Sequence, residues 1–307
     1  MLSIPPLTSA TTQRGSLTNG SLSDRTCSFI GSSSYEPTLV MSSSAPLDVP
    51  PPAAYDLAKG DPVAVNEKVA LVTGSARRIG RAVADALAAR GVHQAVHYRT
   101  SKAEADEAVE AHRAQGVEAE VFRADLSQVK EAEALASAVL ERFGRIDILV
   151  NNASVFFPSP LGEVTELQWD VLMNTNLKGP FFLAQTVGLA MKAAGSGTIV
   201  NIGDWAAERP YAGYLPYCIS KAGVVAMTKG LAKALAPEVR VNCINPGPVM
   251  LPEDLSEAER REVLAKTPLG RTGSPSDIAN AVIFVCEGTD FVTGAVLTID
   301  GGRTVWG

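Results

Sequence analysis

Val69-Ala-Leu-Val72 runs straight into Thr73-Gly74-Ser75-Ala76-Arg77-Arg78-Ile79-Gly80, and a helical pattern follows as far as Arg90. Four consecutive apolar residues before a glycine read as a short strand buried on both faces. Gly74 permits a tight turn, and Gly80 permits a helix to lie close against that strand. The first turn of the helix then offers unpaired backbone amides, at the positive end of the helix dipole, to an anion such as a pyrophosphate. A simple β–α turn would carry the same two glycines. The surrounding pattern favours the anion cradle, because the loop opens a strand–helix–strand unit.

The same alternation continues outward from this stretch. Strands are expected at 94–98, 120–123, 146–150, 197–202, 240–244 and 295–299. Between them lie helical patterns at 101–115, 127–143, 165–194 and 217–235, the first two ending at Gly116 and Gly144. Ser256-Glu-Ala-Glu259 reads as a capping box opening a small helix. Ser274-Pro-Ser-Asp277 reads as another, with Pro at the first helical position and a helix to about Cys286. Strands without polar alternation, each followed by a helix, make an α/β fold: one doubly wound parallel sheet with helices on both faces. Residues 66–307 suit a single domain of this kind.

Residues 1–65 have a different texture. Eighteen of the first fifty residues are Ser or Thr, five are charged, and Pro50-Pro51-Pro52 follow. Such a segment buries too little apolar surface to offset its ordering entropy and is expected to be a disordered tail. It lacks a basic region followed by an apolar run, which argues against a secretory signal. An organellar targeting segment and an over-long start with Met41 as an internal alternative stay open.

The whole chain carries 27 Lys and Arg against 33 Asp and Glu, a net charge of −6. That balance argues against a general binder of nucleic acid or anionic membranes. No window approaches the ~18 consecutive apolar residues of a membrane span. Cys27, Cys218, Cys243 and Cys286 have no metal-ligand spacing and read as free thiols of a reducing, cytoplasmic environment. His93, His97 and His112 form no metal constellation, so no metal is expected.

The second strand ends in His97-Tyr98-Arg99-Thr100-Ser101. An NAD site normally has a carboxylate there for the ribose 2′-hydroxyl. This sequence has none. Arg99 with Thr100 and Ser101 suits a 2′-phosphate instead, so the expected cofactor is NADP(H). Asp125, after the third strand, is either an acceptor for the adenine amino group or an acid at the start of the next helix. Tyr217 and Lys221 lie one helical turn apart on one face. A nearby ammonium favours phenolate, so the Tyr217 pKa is expected to fall from ~10 towards the range of a working acid.

Taken together, Thr73-Gly74…Gly80, Asp125-Leu126, Asn151-Asn152-Ala153-Ser154, Asn174-Thr-Asn176-Leu, Tyr217…Lys221, Pro246-Gly247-Pro248 and Asp300-Gly301-Gly302 resemble the short-chain dehydrogenase/reductases. The resemblance covers residues 67–307 and implies a Rossmann-type fold. It implies that Gly74, Arg77, Ile79, Gly80, Tyr98 and Leu126 join Arg99–Ser101 and Asp125 around the cofactor. It further implies that Asn152 and Ala153 flank the adenosine, that Pro246, Gly247 and Val249 pass the nicotinamide, and that Lys221 holds the ribose. Asn176 would support a proton-relay water.

Three departures narrow the resemblance. Arg78 stands for the middle glycine of the phosphate loop, Ser154 for the usual glycine, and Asp204 for the usual catalytic serine. All three are similar to the pteridine reductase branch, including the bacterial dihydromonapterin or dihydrofolate reductase type. That branch implies an Asp204–Tyr217–Lys221 set, Phe156 stacking on a pterin, and Arg78 and Ser154 contacting both cofactor and substrate. An ionised carboxylate only accepts hydrogen bonds. It opposes charge build-up on a ketone oxygen, whereas reduction of a ring C=N sends the proton to nitrogen. The expected activity is therefore NADPH-dependent reduction of a pterin or dihydrofolate-like substrate, with Tyr217 as proton donor. The rivals are a general carbonyl or 3-ketoacyl reductase on the same fold and a non-catalytic NADP(H) sensor. The family also implies a homo-oligomer, dimer or tetramer. Asp204 as a loop cap, Phe156 as a core aromatic, and Trp205, Tyr211 and Tyr214 as loop packing stay open.

Overall fold

The computed structural model describes residues 64–251 and 255–305. The expected tail lies outside these residues except at its end. There Val65 is buried in the core, so the domain begins before residue 66.

The elements follow in the order expected of a doubly wound sheet: β1 (Val69–Val72), α1 (Arg78–Ala88), β2 (His93–Tyr98), α2 (Lys102–Arg113), β3 (Ala119–Arg123), α3 (Val129–Phe143) and β4 (Ile148–Asn151). The second half adds α4 (Glu166–Met173), α5 (Gly179–Ala194), β5 (Gly197–Ile202), α6 (Leu215–Leu235), β6 (Val239–Pro246), α7 (Glu257–Ala265), α8 (Pro275–Ile283) and β7 (Val296–Ile299). The strands form one parallel sheet ordered β3-β2-β1-β4-β5-β6-β7. Successive residues of each strand feed opposite faces. Leu71, Leu149 and Ile199 pack with Leu183 and Val187 of α5 and Leu235 of α6. Ala70, Val72, Ile148 and Val200 pack with Val83 and Leu87 of α1 and Ile278 and Val282 of α8. Both faces are dry, which is why the strands lack polar alternation.

Two of the expected helices are interrupted. The segment 165–194 contains a wide π-type turn at Asn174–Lys178 between α4 and α5. The helix expected to reach Cys286 stops at Ile283 and ends in a similar turn, Phe284–Gly288. Both capping boxes read from the sequence form, and a third is present at Thr165 and Gln168. The strand order reverses between β1 and β4, and this fold opens its ligand crevice outside the carboxyl ends of the strands at such a point.

Candidate active site

A cleft of about 940 Å³ opens at that crevice. It is lined by every residue singled out above for cofactor or substrate, from Gly74 and Arg77–Gly80 through Tyr98–Ser101, Asp125, Leu126, Asn152–Ser154 and Phe156 to Asp204, Tyr217, Lys221, Pro246, Gly247 and Val249. Asn176 is the exception: it is buried behind the wall.

At one end the wall is backbone held by a few neutral side chains. Gly74 has φ +68°, and a Cβ on Gly80 would meet the Gly74 carbonyl oxygen at 2.3 Å, so the helix sits as close to the loop as glycine allows. The Thr73 hydroxyl accepts from the amides of Asn152 and Ala153, and the Asn152 amide side chain donates to the Thr73 carbonyl. His97 joins three segments. Its Nδ1 accepts from the Gly74 amide at 2.9 Å, and its Nε2 donates to the Ala124 carbonyl at 3.1 Å. That arrangement needs the neutral ring, and burial pushes the His97 pKa down to about 4.

No side chain caps the start of α1, and no acid occupies its first turn, so its amides stay available to an anion. Arg78 holds the left-handed conformation, φ 56°, at the place where the family resemblance expects glycine. A non-glycine residue there stores local strain of about 1–3 kcal/mol, a pattern common at binding sites. Arg77 is exposed and reaches Glu104 at 3.4 Å. Arg99 is exposed at the end of β2. Asp125 accepts from the Ser127 amide at 3.0 Å. Burial raises its pKa, but the Ser127 hydrogen bonds and the charges of Arg99 and Arg123 outweigh this and keep it ionised. Thr175 lines the same end, and its buried hydroxyl oxygen has no protein partner.

At the other end, side chains hold each other. The Tyr217 hydroxyl donates to Asp204 Oδ2 at 2.6 Å. Asp204 Oδ1 accepts from the Ala206 amide at 2.8 Å, so the carboxylate caps a short turn and grips the phenol at once. Lys221 is buried, donates to the Ile202 carbonyl at 3.0 Å, and stands 5.7 Å from the Tyr217 ring centre. The expectation that Lys221 draws the phenol pKa down is overturned. Burial, then the charge and hydrogen bond of Asp204, push Tyr217 well above the ordinary phenol value. Asp204 touches the hydroxyl whereas the ammonium faces the ring from farther off, so the nearer charge wins. Burial raises the Asp204 pKa against the pull of Tyr217, Ala206 and Lys221. Burial also lowers that of Lys221, against Asp204. The three groups share one low-dielectric site, and Tyr217 holds its proton there.

Asn176 bridges rather than touches this trio. Its Oδ1 accepts from the Ser154 hydroxyl and the Val155 amide, and its Nδ2 donates to the Val155 carbonyl and to Ser220 Oγ. Ser220 in turn donates to the Tyr217 carbonyl. The Asn176 side chain thus ties the Ser154–Phe156 segment to α6 instead of reaching Lys221.

Phe156 is 50% exposed, stacked flat on Tyr214 at 4.5 Å and edge-on to Tyr217 at 4.7 Å. One ring face is covered and the ring borders the cleft, which suits stacking on a flat ligand. Tyr214, Tyr211 and Trp205 also line the cleft, and Val263 of α7 and Arg303 close it. The sequence reading left the three aromatics open and missed His97, Thr73, Val263 and Arg303. A histidine at the buried end of β2 was the one visible signal. Among the described residues no cluster of His, Cys, Asp or Glu could hold a metal ion. Cys218, Cys243 and Cys286 are unpaired and buried, and burial pushes the Cys286 thiol up to about 12. Among the described residues no helix is long and apolar enough to cross a membrane.

Comparison with known proteins adds to this geometry. A family model described as enoyl-(acyl carrier protein) reductase matches residues 74–304. The 3-oxoacyl-[acyl-carrier-protein] reductase FabG of Staphylococcus aureus is 36% identical over 239 residues, covering 76% of this chain and 97% of that protein. Among solved structures, a 7α-hydroxysteroid dehydrogenase complexed with NADH and 7-oxo glycochenodeoxycholic acid has a TM-score of 0.74 at 31% identity, covering 78% of this chain and 94% of its own. A blue fluorescent protein from a metagenomic library, in complex with NADPH, has a TM-score of 0.74 at 35% identity, covering 78% and 99%.

Proposed function

The chain belongs to the short-chain dehydrogenase/reductase family, and we propose that it is an NADPH-dependent reductase of a ring C=N in a pterin or dihydrofolate-like substrate. The observation that carries this reading is the Asp204 carboxylate bonded to the Tyr217 phenol at 2.6 Å.

The cofactor end fits NADP(H). The uncapped amides of α1 suit a pyrophosphate, and the unpartnered Thr175 hydroxyl offers a polar contact. Arg99, Thr100 and Ser101 suit a 2′-phosphate better than a bare ribose. Lys221 would hold the nicotinamide ribose. The bound cofactor supplies the hydride; the rest is done by this chain. Phe156, backed by Tyr214, offers its free face to a planar ring. Tyr217 Oη carries a proton that Asp204 keeps in place and in orientation. Lys221 balances the negative charge left when that proton moves. A pterin presents N–H donors as well as acceptors, so an acceptor-only carboxylate is matched by it. A ketone oxygen has no proton to give Asp204, and charge growing on it is repelled.

The second reading is a carbonyl or 3-oxoacyl reductase. The similarity to FabG along nearly its full length favours it. What opposes it is Asp204, which cannot donate a hydrogen bond to a carbonyl while ionised. Exposed Leu167, Trp169, Phe181 and Leu189 on α4 and α5 suit assembly into a homo-oligomer under either reading. The two are separated by following NADPH absorbance with 7,8-dihydrobiopterin, dihydromonapterin and dihydrofolate against acetoacetyl thioesters and simple ketones. Pterin turnover at least tenfold above ketone turnover is expected. Turnover of the oxo compounds alone would replace the first reading with the second.

A further inference from the structure

Aromatic rings run in sequence along the substrate side of the cleft. From Tyr217 the contacts pass to Phe156 at 4.7 Å, Tyr214 at 4.5 Å, Tyr211 at 6.0 Å and Trp205 at 5.4 Å. At the far end the Arg303 guanidinium lies over the Trp205 ring, 5.1 Å from its centre. One of its nitrogens donates to the Val263 carbonyl at 2.9 Å, and both Arg303 and Val263 line the cleft. The other donors of the guanidinium fork have no carboxylate partner among the described residues. Among the described residues, Asp300 accepts from Gly302 and Thr304, and Glu262 is paired with Lys266 and feels the Arg303 charge with no hydrogen bond between the two. The stacked ring and the Val263 bond fix the plane of the fork, so its remaining N–H groups are held ready for a planar anion.

We propose that Arg303 is a specificity-determining residue that receives an anionic group, carboxylate or phosphate, on the tail of the substrate. The reducible ring would sit at Phe156 and Tyr217 while the tail follows the aromatic rim to Arg303. This rests on the reading of the cleft as a reductase site but not on which ring is reduced. Its test therefore uses two matched pairs, each with one anionic and one uncharged member. The first is dihydrofolate, with its glutamate carboxylates, against dihydrobiopterin. The second is acetoacetyl-CoA, with its phosphates, against acetoacetyl-N-acetylcysteamine. The ratio of kcat/KM, anionic over uncharged, is measured for the full chain and for R303M and R303K, and binding to the NADP+-loaded protein is read by quenching of indole fluorescence.

In the unaltered protein the ratio should exceed ten for at least one pair and fall as salt rises. In R303M it should drop at least tenfold, through KM rather than kcat, and lose its salt dependence. R303K, which keeps the charge without the fork, should recover part of it. Turnover in only the second pair would move the ring chemistry to the oxo reading and leave the role of Arg303 standing. A ratio near one in the unaltered protein, an unchanged ratio in R303M, or failure of both pairs to bind would overturn the proposal.

Discussion

Around Gly74 the cleft wall is backbone tied down by the neutral side chains of Thr73, Asn152 and His97, and it is close-packed. Around Tyr217 it is side chain tied to side chain, with a buried lysine and a half-buried carboxyl group beside a phenol. The first region holds a ligand by amides whose positions the fold dictates, because a strand, a tight turn and a helix start leave little freedom. His97 belongs to this region and is itself neutral, a rivet between the loop, β2 and the end of β3. In the second region the proposed chemistry turns on the residue at position 204. A serine there could donate as well as accept, whereas an ionised aspartate only accepts. The fold thus conserves a way of holding a nucleotide and leaves the substrate to a few side chains.

The contrast can be broken at either end. The largest effect is expected from Y217F, which removes the proposed proton donor and should lower kcat by about 10²–10⁴ in single-turnover assays. Next is acid. The folded pKa of His97, about 4, lies below the unfolded value of 6.5, so folding is favoured above 6.5 and that favour is lost as pH falls towards 4. The loss should approach roughly 3 kcal/mol, and thermal denaturation of H97N should show a shallower acid slope than the unaltered chain. Third, G80A pushes a methyl into the Gly74 carbonyl and should cost about 1–3 kcal/mol of stability, with weaker NADPH binding in a fluorescence titration. The smallest is R99A, which should reduce the preference for NADPH over NADH about tenfold in kcat/KM, consistent with one lost charge-assisted bond. If R99A leaves the preference unchanged, the 2′-phosphate is held elsewhere.

The two regions also differ in how legible they are. β1, Gly74 and Gly80 could be read directly, since backbone geometry restricts which residues serve there. The interruption at Asn174–Lys178 could not. Gly179-Pro180 does mark a break within 165–194, but the wide turn just before it is imposed by contacts. Asn176 is drawn to Ser154 and Val155, and Gly179 packs against the Leu126 carbonyl so tightly that a Cβ would not fit. The substrate rim was illegible for a related reason: Phe156, Tyr214, Val263 and Arg303 come together from four separate segments. The direction of the Tyr217 shift was misread because sequence spacing gives the Lys221 contact but neither the burial of the phenol nor the closer grip of Asp204.

We propose that Asp204 sets the substrate class, and D204S puts this to the test. Parallel kcat/KM values for a dihydropterin and an acetoacetyl thioester should move in opposite directions, the pterin falling about 10²-fold or more and the thioester holding or rising. Pterin turnover that survives the change, or turnover of oxo compounds alone in the unaltered protein, would contradict it.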